Sequence, residues 1–384
     1  MHIKQAEQYM TNNPFILYGY ESEEYFCDRE KETEELKEAL LNGSNVTLMA
    51  PRRIGKTALI HHTFERMKAE DKAVQCFYVD IFSTKTFSQM VQFLANGIVG
   101  KLDSPSRAIK RRLNNFVAAL RPTVSTDPFT GLPTFSFTIE PDKARDTLQQ
   151  VFEYMKESGK QCYLAIDEFQ QVSNYSEISA DAFIRSIIQF IPNVHIIFSG
   201  SQQHLLSDMF MSPGHPFFNS SQIMTIGEID KEKFCQFANG FFHSQKREME
   251  EDVFASLYDM VDGQTWYIQK ILNRLYRTPK GALDQADVLQ AVDKIIREQE
   301  INYQSNYNLL TENQALLLTA IAREGVVSAP TALDFVLRYR LPAPSSINLA
   351  LKSLQEKEFL YHDPKRGYMV YDRFFGMWLK QLAQ

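Results

Sequence analysis

The run "NVTLMAPRRIGKTALI" (45–60) limits the fold more than any other part of the chain. A β-rich apolar segment enters a loop ending in Gly-Lys-Thr, and a helical pattern starts at once. Strand, loop and helix in that order let successive backbone N–H groups wrap phosphates while a helix N-terminus adds its positive end. Gly55 allows the close approach and positive φ that a side chain would block. Lys56 is placed to neutralise phosphate charge, and the Thr57 hydroxyl to ligate Mg²⁺. The usual pattern, G-x-x-x-x-G-K-[ST], opens on glycine, and Ala50 stands there instead. At the loop's start a methyl group intrudes less than it would at position 55. The phosphate-binding stretch is therefore read as Ala50, Pro51, Arg52, Arg53, Ile54, Gly55, Lys56, Thr57 and Ala58.

A loop of this kind needs an acidic partner, and "CYLAIDEFQQ" (162–171) supplies one. An apolar strand ending in two acids puts Asp167 and Glu168 at the carboxyl edge of a sheet, where open α/β folds bind ligands. Asp167 is assigned to Mg²⁺ through water, and Glu168 to orienting or deprotonating an attacking water. The strand "VQCFYVDIF" (74–82) lies between loop and acids in the sequence, and is read as separating their strands in the sheet. A third strand, "HIIFSGSQQHLL" (195–206), ends in Ser199-Gly200-Ser201. Either serine is positioned to sense the terminal phosphate or its water, or else to cap the next helix.

Near-continuous apolar runs at 45–50, 74–82, 161–169, 194–201 and 221–229 alternate with helical periodicity. That pattern is a parallel sheet covered on both faces. An inserted β-hairpin near 121–140 interrupts it, around Asp-Pro and Thr-Gly-Leu-Pro. The expected organisation is a core over 1–229, a helical lid over 230–305 and a winged helix-turn-helix over 306–384. In the last of these, Ile347, Ala350, Leu351 and Leu354 recur at helical spacing and face inward. No run reaches the roughly 18 apolar residues of a membrane span, so no membrane partner is expected. The N-terminus lacks a signal-peptide layout, and four scattered cysteines fit a reducing compartment. The expected location is cytoplasmic.

Four stretches carry a family likeness: "FCDREKETEEL", "APRRIGKTALI", "YLAIDEFQQV" and "IFSGSQQHLL". Two weaker ones are "DGQTWYIQKILNRL" and "YMVYDRFFGMWLK". Together they resemble the archaeal-type ATPases, a group within the AAA+ and signal-transduction P-loop ATPases that is related to the origin-recognition ATPases. The resemblance implies an AAA+-like core, a lid and a winged helix, with ATP and Mg²⁺ as cofactors. It also implies that the segment with Phe26, Arg29 and Glu30 lies over the nucleotide base, and on physical grounds Tyr25 or Phe26 is suited to stack on adenine. The family's lid often carries Gly-x-Pro where this chain has Gly263-Gln264-Thr265, a departure that bears on the lid contact. An arginine usually completes such a site, often from a neighbouring subunit of a homo-oligomer. Arg185 is the candidate in the core, and Arg274 and Arg277 are candidates in the lid.

A net charge of -6 argues against a chain devoted to nucleic acid. Two regions still merit weighing as contacts for DNA or protein. The segment 101–121 has six Lys or Arg and one Asp, which suits either an acidic partner or a solvated helix. Residues 303–384 have nine Lys or Arg against seven Asp or Glu, sparse for a DNA-reading module. Two functions remain open at this point. One is an Mg²⁺-dependent ATPase coupling nucleotide state to the winged helix, with Lys56 and Glu168 catalytic. The other is a slowly hydrolysing, nucleotide-gated switch or adaptor. A nucleotide kinase fits less well: it needs a phosphate-accepting pocket, and the extra strand and the glutamate beside the acid point elsewhere.

Overall fold

The computed structural model describes residues 13–99, 101–102, 122–126, 133–176, 179–279, 281–363 and 365–382. The basic segment therefore lies outside the described residues from 103 onward. The chain divides into two compact units, one spanning Ile16–Lys233 and the other running from Phe234 onward together with the segment at Phe15.

The first unit begins with α1 (Glu30–Leu41), β1 (Val46–Met49), α2 (Lys56–Glu70), β2 (Gln75–Asp80) and α3 (Phe87–Ile98). An antiparallel pair follows, β3 (Pro122–Thr126) and β4 (Pro133–Phe137), at the place expected for a hairpin. Then come α4 (Ala144–Glu157), β5 (Cys162–Asp167), α5 (Ala180–Ile188), β6 (Val194–Gly200), α6 (Gln203–Met211) and β7 (Gln222–Thr225). Five strands form a parallel sheet in the order β2-β5-β6-β1-β7.

Side-chain alternation divides the core between the two faces. Leu164, Ile166, Ile196 and Phe198 pack with α3 to α6, while Tyr163, Ala165 and Ile197 pack with α1 and α2. Every residue of β5 and β6 is buried, which is why both read as near-continuous apolar runs. One expectation is corrected here. The strand separating the loop strand from the acid strand is β6, not 74–82, which forms the sheet's edge as β2. β1, β5 and β6 are buried along their whole length, whereas β2 alternates and ends exposed, as an edge strand can.

The chain enters the second unit within α7 (Lys231–Ser244), and the unit goes on with β8 (Glu248–Met249), α8 (Glu251–Met260), α9 (Thr265–Tyr276), β9 (Ala282–Leu283) and α10 (Gln285–Asn308). The winged helix follows, with α11 (Glu312–Glu324), α12 (Leu333–Tyr339), α13 (Pro344–Glu356), β10 (Leu360–Asp363), β11 (Gly367–Val370) and α14 (Arg373–Leu382). Capping boxes start α10 (Asp284 with Asp287) and α11 (Thr311 with Gln314), and Pro344 opens α13. The helical region before it and the winged helix share one core because α10 runs unbroken past residue 305. Its Tyr303 packs against Phe375 and Trp378 of α14, at ring distances of 5.3 and 5.9 Å. Phe15 lies in this unit too, fully buried among Phe237, Phe241, Phe242 and Tyr276. Among the described residues, no helix is long and apolar enough to cross a membrane.

Candidate functional site

The loop leaves β1 at Met49. Ala50 is fully buried in the cluster formed by α1 and α2, so its methyl group has a packing site where glycine was expected. Arg53 and Gly55 both adopt left-handed backbone, with φ of 68° and 98°. Gly55 is the N-cap of α2, so the positive φ falls where the chain turns into the helix. Pro51, Thr57 and Ala58 are half-buried, while Ile54 is buried and holds the loop down.

Two residues assigned to the nucleotide base are already engaged. Arg29, 3% exposed, donates to the carbonyls of Ile54 (3.2 Å) and Gly227 (2.6 Å) and pairs with Glu32 at 2.8 Å. Its guanidinium therefore ties the loop at Ile54 to the chain at Gly227. Phe26 stacks on His62 with ring centroids 4.2 Å apart, and the Tyr20 hydroxyl lies 3.0 Å from His62 Nδ1. Burial holds the His62 imidazole below its usual pKa, which favours the neutral ring suited to stacking.

The acids meet the loop at the carboxyl edge of the sheet. Lys56 Nζ lies 3.2 Å from Asp167 Oδ1 and 3.6 Å from Glu168 Oε1. Asp167 Oδ1 also accepts from Ser199 Oγ at 2.6 Å and from the Glu168 N–H at 3.0 Å. Its Oδ2 accepts from Tyr78 OH at 2.5 Å and Thr57 Oγ1 at 3.2 Å. Burial is the strongest influence on the Asp167 carboxyl and pushes its pKa up. The charge of Lys56 and the hydrogen bonds from Ser199, Tyr78 and Lys56 outweigh it, leaving the carboxyl below the ordinary range. Glu168 has left-handed backbone (φ 58°), and its Oε2 accepts from Gln170 Nε2 at 2.5 Å and Ser201 Oγ at 2.9 Å.

Both serines thus point at the acids, Ser199 at Asp167 and Ser201 at Glu168. Neither caps α6, whose N-cap is Gln202. Arg52 Nε donates to Ser201 Oγ at 3.2 Å, and its guanidinium lies over the Phe82 ring at 5.5 Å. The arginine candidates lie elsewhere. Arg185 is half-buried on α5 and has no ion pair among the described residues. Arg274 belongs to the second unit, where Glu298 holds it in an ion pair through both carboxylate oxygens, one of them at 2.6 Å.

Tyr78, Gln170 and Asp80 belong to the site and were not anticipated. Tyr78 and Asp80 lie two residues apart on β2, in register with Ala165 and Asp167, so the period of two is the signal that finds them. Burial, then the charge of Asp167, pushes the Tyr78 hydroxyl pKa up, so it stays a proton donor. The Asp80 carboxyl is pushed up by its own desolvation, although the residue as a whole is exposed, and by Asp167 and Glu168. The Gln170 signal was present in "DEFQQ", which was read for its acids and for the family likeness but gave Gln170 no role.

A family model described as an ATPase domain predominantly from Archaea matches residues 26–271, and one described as a probable winged helix domain matches 301–381. An ATP-binding protein of Methanocaldococcus jannaschii is 26% identical over 281 residues, covering 67% of this chain and 72% of that protein. Among solved structures, the Walker-type ATPase of Pyrococcus abyssi superposes with a TM-score of 0.64 at 16% identity, covering 96% and 99% of the two chains. The Aeropyrum pernix ORC2 protein, in ADPNP and ADP complexes, gives 0.59 at 14% identity, covering 97% and 96%. At these identities the structural likeness establishes the fold.

Proposed function

The chain belongs to the family of ATPase domains predominantly from Archaea, and from that membership we propose that it hydrolyses ATP with Mg²⁺ at residues 50–58, Asp167 and Glu168. One observation carries the reading: Lys56 and Thr57 from α2 and the acids that end β5 converge within hydrogen-bonding and ion-pairing reach at the sheet's carboxyl edge. The Thr57 hydroxyl and the Asp167 carboxylate, 3.2 Å apart, form the hard oxygen pair that suits Mg²⁺. When bound, that ion neutralises charge on the terminal phosphates.

Lys56 is here compensated by both acids, and nucleotide phosphates offer it a stronger set of negative charges. Its transfer to them frees Glu168 Oε1 to accept a proton from water. The loop's N–H groups and the start of α2 hold the phosphates, and Ser199 keeps Asp167 oriented. The winged helix is the output module in this reading, coupled to nucleotide state.

Steady-state phosphate release over a range of protein concentrations, with Glu168→Gln as control, tests the proposal. Turnover that collapses by about 100-fold or more in the variant, with ATP binding retained, is expected. A rate rising faster than concentration would add an arginine supplied by a second copy. Tight ATP binding with no turnover in either protein would overturn the hydrolytic reading and leave a nucleotide-gated switch.

A further inference from the structure

Glu168 is gripped by one oxygen only. Its Oε2 accepts from Gln170 Nε2 and Ser201 Oγ, at 2.5 and 2.9 Å, while Oε1 faces Lys56 Nζ at 3.6 Å. The two donors come from separate elements, Gln170 from the 3₁₀ turn Phe169–Asn174 and Ser201 from the residue after β6. Chemistry fixes both assignments. A carboxylate only accepts, so the Gln170 amide presents its NH₂. Ser201 Oγ takes a hydrogen bond from Arg52 Nε at 3.2 Å, which directs its single proton to Glu168.

Two features show that this arrangement is specific. Gln170 is 4% exposed, and its Oε1 has no hydrogen-bond partner among the described residues. Buried acceptors are seldom left so, and here the orphan follows from turning the NH₂ toward Glu168. The neighbouring strand also leaves room for the amide. A Cβ at Gly200 would collide with Gln170 Oε1 and come within 2.8 Å of Leu206 Cδ1. Gly200 has no left-handed backbone, so glycine is required there for space. Packing against Leu206 contributes to the bare strand position, but it does not explain the orphaned carbonyl.

Resting on the hydrolytic reading above, we propose that Gln170 and Ser201 are positioning residues. They lock Glu168 by Oε2 and reserve Oε1 as the base for the attacking water, and Arg52 ties that lock to the phosphate loop. In the step, the water oxygen bonds to the terminal phosphorus and one water proton passes to Glu168 Oε1. The bond from that phosphorus to the bridging oxygen breaks, and its electron pair leaves with ADP. Without the lock the carboxylate rotates about its last torsion, and less of the population holds Oε1 toward the water.

The test measures ATP turnover and binding of a fluorescent ADP analogue side by side on the full chain. The proteins are wild type, Gln170→Ala, Ser201→Ala, Ser201→Thr, Gly200→Ala and Glu168→Gln. Gln170→Ala and Ser201→Ala should each lower kcat about 10- to 100-fold, with KM and analogue affinity within about twofold. Ser201→Thr keeps the hydroxyl and should restore turnover. Gly200→Ala displaces the amide without altering either acid, and should imitate Gln170→Ala. Melting temperatures verify folding, and Ser201→Ala keeps the question open to decision if the Gln170 variant does not fold. Unchanged kcat in the positioning variants beside an inactive Glu168→Gln overturns the lock and leaves the hydrolytic reading standing. A raised KM with unchanged kcat also overturns it, by assigning these residues to nucleotide binding. Wild type as inactive as Glu168→Gln removes the hydrolytic reading itself.

Discussion

Lys56 is 7% exposed and Asp167 3%, yet both carry charge. Burial on that scale persists only where partners replace water, and Asp167 has Lys56, Ser199, Tyr78, Thr57 and the Glu168 N–H. The folded-state pKa of Asp167 lies below the ordinary 3.8. The stability from its ionisation is therefore complete above the unfolded value and is lost as pH falls through the folded one. Asp167→Asn should flatten the acid limb of stability below about pH 4, read as urea midpoint against pH. A limb as steep as the wild type's would contradict this. Gly55 gives a second prediction. At φ 98° an alanine pays for left-handed backbone, so Gly55→Ala should cost about 1–2 kcal/mol in urea unfolding and weaken nucleotide binding. A neutral variant would mean the loop relaxes.

Among the elements, what the sequence revealed tracks burial. β5 and β6 are buried on both faces, and their near-continuous apolar runs were readable together with the acids and serines at their ends. The order of strands was not readable, because neighbours in a parallel sheet are chosen by packing between distant segments. Hence β2 was expected between loop and acid strands and instead forms the edge. The Gln170 lock escaped for the same reason, since Gly200 and Gln170 meet only once β5 and β6 pair. The serines' alternatives were also left open until the targets of their hydroxyls were known.

The joint between lid turn and wing supports a further prediction. Asp262 accepts from Arg366 at the wing's tip (2.9 Å) and from Arg373 at the start of α14 (3.0 Å). The Arg373 side chain is 12% exposed and that of Arg366 48%. Asp262→Ala leaves a mostly buried guanidinium unpaired and should cost about 3 kcal/mol in thermal or urea unfolding. Arg366→Ala removes a surface pair and should cost less than about 1 kcal/mol. Equal losses would mean that burial does not set the strength of this joint.

On the scale of the whole molecule, the chain carries the loop 50–58 and the acids in one compact unit and the helical region and winged helix in another. The winged helix is nearly balanced in charge, and several of its cations are committed. Lys352 lies near Glu356, Arg338 pairs with Glu324, and Arg366 and Arg373 share Asp262. Leu349, on the outer face of α13, is 72% exposed. Full-chain affinity for duplex DNA should therefore change by less than about twofold in Lys352→Ala, measured by anisotropy at fixed salt. A tenfold loss would make α13 a phosphate-contacting helix.

The most direct measurement follows the nucleotide itself. Wild type, Glu168→Gln and Lys56→Ala are each incubated with ATP and Mg²⁺, freed of unbound nucleotide, denatured and chromatographed. The hydrolytic site predicts ADP on the wild type, intact ATP on Glu168→Gln and little of either on Lys56→Ala. ATP retained intact on the wild type, in the same amount as on Glu168→Gln, would contradict it.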